Sequence, residues 1–396
     1  MGEDNTTRRR FLKGAAAGTA GTLLVGAANA SGGRAPRRIV GTKSKAAADN
    51  AKGKAEAVGR TLDFGDIGQA VAGRFSDKAI EQLRKRRDVR YVEEDGTMHA
   101  LQGKPGGGGG TTAAQTLPWG IDRVDAEVAH ANGSTGAGAD LAILDTGIDS
   151  NHPDLVDNLG AGRAFTRAKG NFAEDWDDDN DHGTHCAGTA GAVDNAEGVV
   201  GVSTEATLHA VKVLGKRGSG SFSDIAAGVE YVADQGWDVA SMSLGGSSGT
   251  QTLRDACQYA TNNGVLVVAA AGNSGPCSDC VGFPAAYPET LAVGSTDSTD
   301  DLSGFSSTGP EVDIAAPGSN INSTVPGGAY DTFSGTSMAT PHVAGAAAQL
   351  MADGASNDQA RSTLLNTAED LGLGDNESGA GLLDVAAALG YDSSND

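Results

Sequence analysis

Residues 142–149 read Ala142-Ile143-Leu144-Asp145-Thr146-Gly147-Ile148-Asp149. An apolar run that opens at Asp140 stops at a carboxylate and a glycine turn. Such a run reads as a buried strand with Asp145 at its carboxyl end. Similar apolar strands are expected at Thr207 to Val213, Val239 to Ser243 and Val265 to Ala271. Amphipathic helices are expected between them, at Phe222 to Gln235 and Thr252 to Asn262. Buried strands alternating with helices imply a mostly parallel sheet with helices on both faces. Catalytic groups of such sheets collect at the carboxyl ends of the strands, where Asp145 stands. A lone Asp-Thr-Gly also fits half of an aspartic peptidase. That chemistry needs two carboxylates sharing a proton, and the chain has one such tripeptide.

Two further segments carry reactive side chains. Asp181-His182-Gly183-Thr184-His185-Cys186-Ala187-Gly188-Thr189 places His182 just before a helix of small residues. His182 and His185 are spaced to share a metal, but no Glu lies between them and no third ligand sits at useful spacing. Ser334-Gly335-Thr336-Ser337-Met338-Ala339-Thr340-Pro341-His342-Val343-Ala344-Gly345 sets Ser337 at the opening of a helix that buries Val343, Ala346, Ala347 and Leu350. A serine there is most often only a cap. Gly335 permits a sharp turn beside it, and the positive helix end favours charge on a nearby oxygen.

Taken together, in the order Asp, His, Ser, these segments resemble the subtilase family of serine peptidases, most closely the halolysin-type extracellular proteases of extreme halophiles. That chain order is the one known for subtilisin, and the resemblance rests on it. The resemblance runs from about Gln115 to Leu389. It implies a three-layer subtilisin-like α/β fold, preceded by a small α+β, ferredoxin-like, inhibitory prodomain. It also implies a serine endopeptidase with Asp145, His182 and Ser337 as its triad. Asn273, in Val268-Ala269-Ala270-Ala271-Gly272-Asn273-Ser274-Gly275, would donate to the oxyanion with the backbone N–H of Ser337. Substrate would lie as an added strand between Ser243-Leu244-Gly245 and Gly218-Ser219-Gly220. Ala270, Ala271, Gly272 and Gly282 would line the first specificity pocket, and Phe222 would wall the pocket three residues further along the substrate. Small linings imply broad specificity with a preference for large apolar side chains before the scissile bond.

By the same resemblance, structural calcium would be held by Gln115, Asp154, Val193, Asn195, Glu197 and Val199. The acidic run Glu174-Asp175-Trp176-Asp177-Asp178-Asp179-Asn180-Asp181 fits a second cation beside His182 or a solvated loop equally well. No organic cofactor is implied.

The flanks suggest an exported precursor. Thr7-Arg8-Arg9-Arg10-Phe11-Leu12-Lys13, an apolar stretch to Gly26, and Ala28-Asn29-Ala30 resemble a twin-arginine signal peptide cut after Ala30. The stretch is too short and too rich in Gly and Ala to span a membrane. Residues 31–101 read as the prodomain: a strand at Arg38-Ile39-Val40, a helix at Ala46 to Val58, a strand at Gly68 to Phe75, an Asp-capped helix at Asp77 to Arg86 and a strand at Val89 to Asp95. His99-Ala100-Leu101 resembles the prodomain's last residues, so self-cleavage is expected after Leu101. Residues 102–114 are a linker around five consecutive glycines, Gly106 to Gly110, and residues 115–396 the catalytic domain. The halophile C-terminal extension is not expected after Asp396.

Charge divides at the same place. Residues 1–101 carry 19 Lys+Arg against 12 Asp+Glu, whereas residues 102–396 carry 10 against 39. This argues against nucleic acid and anionic membranes as partners and for a secreted monomer adapted to molar salt, where screening reaches only about 3 Å. Expected partners are polypeptide substrates and the chain's own propeptide. Of four cysteines, Cys277 and Cys280 are close enough for a local disulfide; the pairing of Cys186 and Cys257 stays open. The rival to an enzyme is a non-catalytic binding protein on a peptidase scaffold.

Overall fold

The computed structural model describes residues 34–101 and 114–393. The signal-peptide reading, with its cut at Ala30, and nearly all of the glycine linker fall outside the described residues.

Alternation along Asp140–Asp145 decides how the large domain is layered. Leu141 and Ile143 point into one apolar core and Ala142 and Leu144 into another. A strand buried on both faces needs helices on both, and these are present. His182–Gly191 and Thr336–Ala352 cover one face; Phe222–Gln235 and Gln251–Asn262 cover the other. Between them lies a seven-stranded sheet in which every pairing is parallel. In order its strands are Ile314–Pro317, Leu291–Thr296, Leu266–Ala270, Val239–Met242, Asp140–Asp145, Thr207–Lys212 and Arg163–Ala164. The expected three-layer α/β architecture is therefore observed. Asp145 ends a central strand opposite Lys212, which puts it at the rim where the helices carrying His182 and Ser337 begin.

Residues 37–94 form a four-stranded antiparallel sheet with two helices packed on one face. The element order is strand, helix, strand, strand, helix, strand, as in a ferredoxin-like unit. Two boundaries differ from the sequence reading. The first helix spans only Lys45–Lys52, because the chain turns at Gly53 and Ala57–Asp63 pairs as a strand with Gln69–Arg74. The second helix is capped by Ser76, whose hydroxyl accepts from Ala79 N, so Asp77 is a first-turn residue and not the cap. The other face of this sheet, through Ile39, Leu62, Ala70 and Ala72, joins the apolar core under the Phe222–Gln235 and Gln251–Asn262 helices.

Candidate active site

The turn after Asp145 brings the acid against the base. Gly147 takes φ +110°, and a Cβ there would strike the carbonyl of Trp176, so only glycine fits. Thr146 N donates to Asp145 Oδ1 at 2.7 Å. His182 is the first residue of its helix, one position further in than the sequence suggests. Its Nδ1 lies 2.8 and 2.9 Å from the two Asp145 oxygens. Both side chains are fully buried. Burial opposes charge on the imidazole, but the Asp145 carboxylate outweighs it and holds the ring's pKa well above the ordinary histidine value.

Ser337 is the second residue of the Thr336–Ala352 helix, with Gly335 at the cap position. Its Oγ lies 2.9 Å from the carbonyl oxygen of Leu101 and 3.0 Å from that of Ser243. Asn273 Nδ2 donates to the same Leu101 oxygen at 2.6 Å. The Asn273 amide is oriented from behind, since its Oδ1 accepts from Thr336 N and Oγ1, both at 2.9 Å. Leu101 thus presents its carbonyl between the Ser337 hydroxyl and the Asn273 amide. With the Ser337 hydroxyl turned to that carbonyl, His182 Nε2 has no hydrogen-bond partner among the described residues.

Strand Thr97–Ala100 leads into Leu101. It runs antiparallel between Leu244–Gly245 and Ser219–Ser221 as the middle of a three-stranded sheet. Ala100 N donates to Gly218 O at 2.8 Å and Leu101 N to Ser243 O at 3.3 Å. The segments named from the sequence as substrate-flanking therefore do flank an extended peptide, which is the chain's own. A Cβ on Gly245 would come to 3.0 Å from Leu101 Cδ1. Next to it, Gly282 faces Gly246 and donates to Ala271 O at 2.8 Å, while Ala270 and Ala271 are buried. Met98, three residues before Leu101, is fully buried in one cluster with Phe222 and Leu244.

His185 is no metal partner of His182. Its Nε2 meets the carbonyls of Ile321 and Asp331 at 3.0 and 3.2 Å, and its ring stacks on Phe333. Burial and the nearby His182 push it down to about 3, so it stays neutral. Among the described residues the one cluster with metal-ligand spacing is Asp145, His182 and Cys186, which is the acid–base pair plus a thiol. Cys186 Sγ is 3.9 Å from His182 Nδ1 and 3.5 Å from Ser337 O. Its position four residues after His182 on a helix was the available signal for that placement. Cys277 and Cys280 are disulfide-bonded, and Cys186 and Cys257 are free and buried.

The acidic run fits neither of its two readings as a whole. Glu174 and Asp175 are exposed, but Asp177 and Asp178 are buried, as is the Asp179 side chain. Asp177 accepts from Ser150 N and Glu174 N, and Asp179 pairs with Lys212 at 2.6 Å. Asp178 accepts from Thr146, Asn180, Asp181 and Thr184. With five hydrogen bonds from protein donors already on its two oxygens, the buried Asp178 carboxylate is not part of a solvated loop.

The six positions named for calcium do converge. Asp154 is buried, accepts from Asn195 Nδ2 at 3.0 Å and Val199 N at 2.9 Å, and its carbonyl accepts from Val193 N at 2.9 Å. Gln115 reaches the same loop through Nε2 to Val193 O at 3.2 Å and through its N to Ala196 O at 3.1 Å. Glu197 N donates to Asn195 Oδ1 at 2.7 Å. Gly198 has φ +76°, and a Cβ there would strike the Asp154 carboxylate and the Tyr330 hydroxyl. Burial and then the bond to Asp154 raise the pKa of Tyr330. The cradle offers a carboxylate, two amides and backbone carbonyls, a set that suits a hard cation.

Known proteins share this sequence pattern. The model of the subtilase family, the S8 peptidases, matches residues 136–382, more than half of the chain. The chain belongs to the subtilase family of subtilisin-like serine proteases. It is 44% identical over 323 residues to subtilisin amylosacchariticus of Bacillus subtilis subsp. amylosacchariticus, covering 81% of this chain and 80% of that protein. It is 46% identical over 316 residues to an alkaline protease of Alkalihalobacillus alcalophilus, covering 79% and 77%. It is also 46% identical over 302 residues to alkaline elastase YaB of Bacillus sp. (strain YaB), covering 76% and 74%. These spans exceed the stretch from Gln115 to the C-terminus, so the likeness continues into the residues before Gln115.

Proposed function

We propose that this chain is a secreted serine endopeptidase with the Asp145, His182, Ser337 triad, made as a precursor whose residues 31–101 fold, inhibit and are removed. The observation that carries the reading is the Leu101 carbonyl, held between Ser337 Oγ and Asn273 Nδ2. Serine is a weak nucleophile at its free pKa and needs a base. His182 Nε2 takes the Ser337 proton as Oγ adds to the carbonyl carbon. Asp145 holds the Nδ1 proton in place and stabilises the imidazolium. The new oxyanion is met by Asn273 Nδ2 and by Ser337 N–H. His182 then returns the proton to the leaving amine, and water releases the acyl group by the same path. A large apolar side chain is preferred before the scissile bond, as Leu101 beside Gly245 suggests.

Three finer points belong to the same proposal. Export follows the twin-arginine route, with the first cut after Ala30; among the described residues no helix is long and apolar enough to cross a membrane. The mature enzyme is a salt-adapted monomer, on the strength of 39 acidic against 10 basic residues after Leu101. Gln115, Asp154, Val193, Asn195, Glu197 and Val199 would hold a calcium ion that supplies stability and takes no part in bond cleavage. Hydrolysis of a chromogenic peptide ending in Leu or Phe tests the whole. Activity abolished by a serine-directed inhibitor and by Ser337→Ala, but not at once by a chelator, is the expected result. Turnover in Ser337→Ala at the wild-type rate sinks the reading.

A further inference from the structure

The inward-turned part of the acidic run touches the catalytic pair through one hydroxyl. Asp178 is buried, and its carboxylate accepts from N–H and O–H donors. Oδ1 accepts from Thr146 Oγ1 at 2.8 Å, Asn180 N at 2.9 Å and Asp181 N at 3.2 Å. Oδ2 accepts from Thr184 N at 2.9 Å and Thr184 Oγ1 at 2.7 Å. Two of these donors, Asn180 N and Asp181 N, form the turn before the His182 helix. There Asp181 is held at φ +106°, which an L-residue seldom adopts. Two more come from Thr184, in the first turn of that helix. Asp178 is thus the group that starts the helix, although the residue before His182 is itself an aspartate and makes no side-chain cap.

Thr146 completes a ring. Its Oγ1 donates to Asp178 and accepts from Gly183 N at 2.8 Å, while its own N donates to Asp145 Oδ1. The acid's turn and the base's helix are therefore joined by the Asp145–His182 bond and again through Thr146 and Asp178. Lys212 braces the ring from the sheet, where it stands opposite Asp145. Its Nζ donates to Thr146 O and pairs with Asp179 Oδ1.

We propose that Asp178 is a positioning residue for catalysis, which through the Thr146 hydroxyl fixes the Asp145 turn and the His182 helix at the spacing that proton transfer requires. It touches no substrate and transfers no proton. The proposal rests on the triad reading above. Loss of alignment by an ångström costs about 10- to 100-fold in rate without weakening substrate binding. A carboxamide cannot replace Asp178, because either orientation turns an NH₂ group onto a donor.

The test compares Thr146→Val, Thr146→Ser, Asp178→Asn and the Asp178→Asn/Thr146→Val double variant, all in the full chain. The readouts are kcat and KM on a chromogenic peptide, per folded enzyme, with the unfolding midpoint measured alongside. For a variant that does not mature, the first-order rate of its own cleavage at Leu101 replaces kcat. Thr146→Val and Asp178→Asn should each lower kcat about 10- to 100-fold at a KM within about twofold of wild type. Thr146→Ser should restore the rate, and the double variant should be no slower than the slower single, because both break one ring. Should Asp178→Asn not fold, the Thr146 pair decides alone. A lower unfolding midpoint with kcat unchanged, or losses that multiply in the double variant, would overturn the proposal. Ser337→Ala in parallel separates this outcome from failure of the triad reading.

Discussion

Asn273 shows how much one residue's orientation matters. The sequence offers it as a turn residue after Gly272, and the resemblance makes it an oxyanion donor. The geometry fits the second role because Thr336 occupies Oδ1 and leaves Nδ2 facing the Leu101 carbonyl. Asn273→Ala should lower kcat by about 10²–10³ with little change in KM, a magnitude taken over from the equivalent change in a subtilisin. Steady-state kinetics check it; a loss confined to KM would show that Asn273 only holds substrate. Cys186, by contrast, could be placed beside His182 from its own helix, and Asp178 near it, but neither could be tied to Ser337 or Thr146 from its own segment. Their meaning depends on Ser337 and Thr146, which come from elsewhere in the chain.

At the scale of elements, the ferredoxin-like sheet is seated on two helix starts. Asp95 accepts from Ser223 N at 3.1 Å, and Glu93 from Thr252 N at 3.2 Å and Thr252 Oγ1 at 2.8 Å. Carboxylates favour the positive ends of helices. Arg90 and Tyr91 both reach the buried Asp255 carboxylate. One contact makes docking depend on pH. Glu230 accepts from Asp63 N at 2.7 Å, and burial, with the charges of Asp234 and Asp63, pushes it up to about 7. Arg60 and Arg163 line the same cleft. Once the pre-segment leaves, Glu230 should return towards the ordinary 4.5. The proton is therefore bound more tightly in the docked state. The stabilisation this adds to docking is complete below about pH 4.5 and is lost as pH rises through about 7. Self-cleaved two-chain complex should hold its pre-segment better at pH 5 than at pH 8 on gel filtration, and Glu230→Gln should flatten the difference. Equal retention at both pH values in wild type would refute it. The Val193 to Val199 loop gives a second test at this scale. A chelator should lower the unfolding temperature of the mature enzyme well before it changes kcat, and Asp154→Asn should remove that sensitivity.

For the whole molecule, the excess of 39 acidic over 10 basic residues after Leu101 means strong self-repulsion in dilute buffer. Stability and activity should both rise from low to multi-molar NaCl. A wild-type enzyme equally stable without salt or divalent ions would end the salt-adaptation reading. Maturation is the other whole-molecule prediction. N-terminal sequencing of active enzyme should find a start between Gln102 and Gln115, since the proposed calcium site includes Gln115. An intact start at Ser31 would instead make residues 31–101 a permanent regulatory domain.

The sequence by itself determined the layers and pointed to the chemistry. Runs such as Leu141 to Leu144 are apolar at every position, and that alone demands a sheet covered on both faces. Asp145, His182 and Ser337 sit in segments whose local glycines and small residues give them away. What the tertiary structure decided were the features that need a partner far along the chain. Thr97–Ala100 is four residues long, and becomes a strand only because Ser219–Ser221 and Leu244–Gly245 supply its hydrogen bonds. Ala57–Asp63 extends a helix-like stretch in sequence and is a strand because Gln69–Arg74 pairs with it. The acidic run looks solvated residue by residue. Asp178 and Asp179 nevertheless turn inward, because Thr146, Thr184 and Lys212 offer more donors than water must give up. Local sequence records propensity and charge; the energy of burying a polar group depends on donors that only the folded chain brings near.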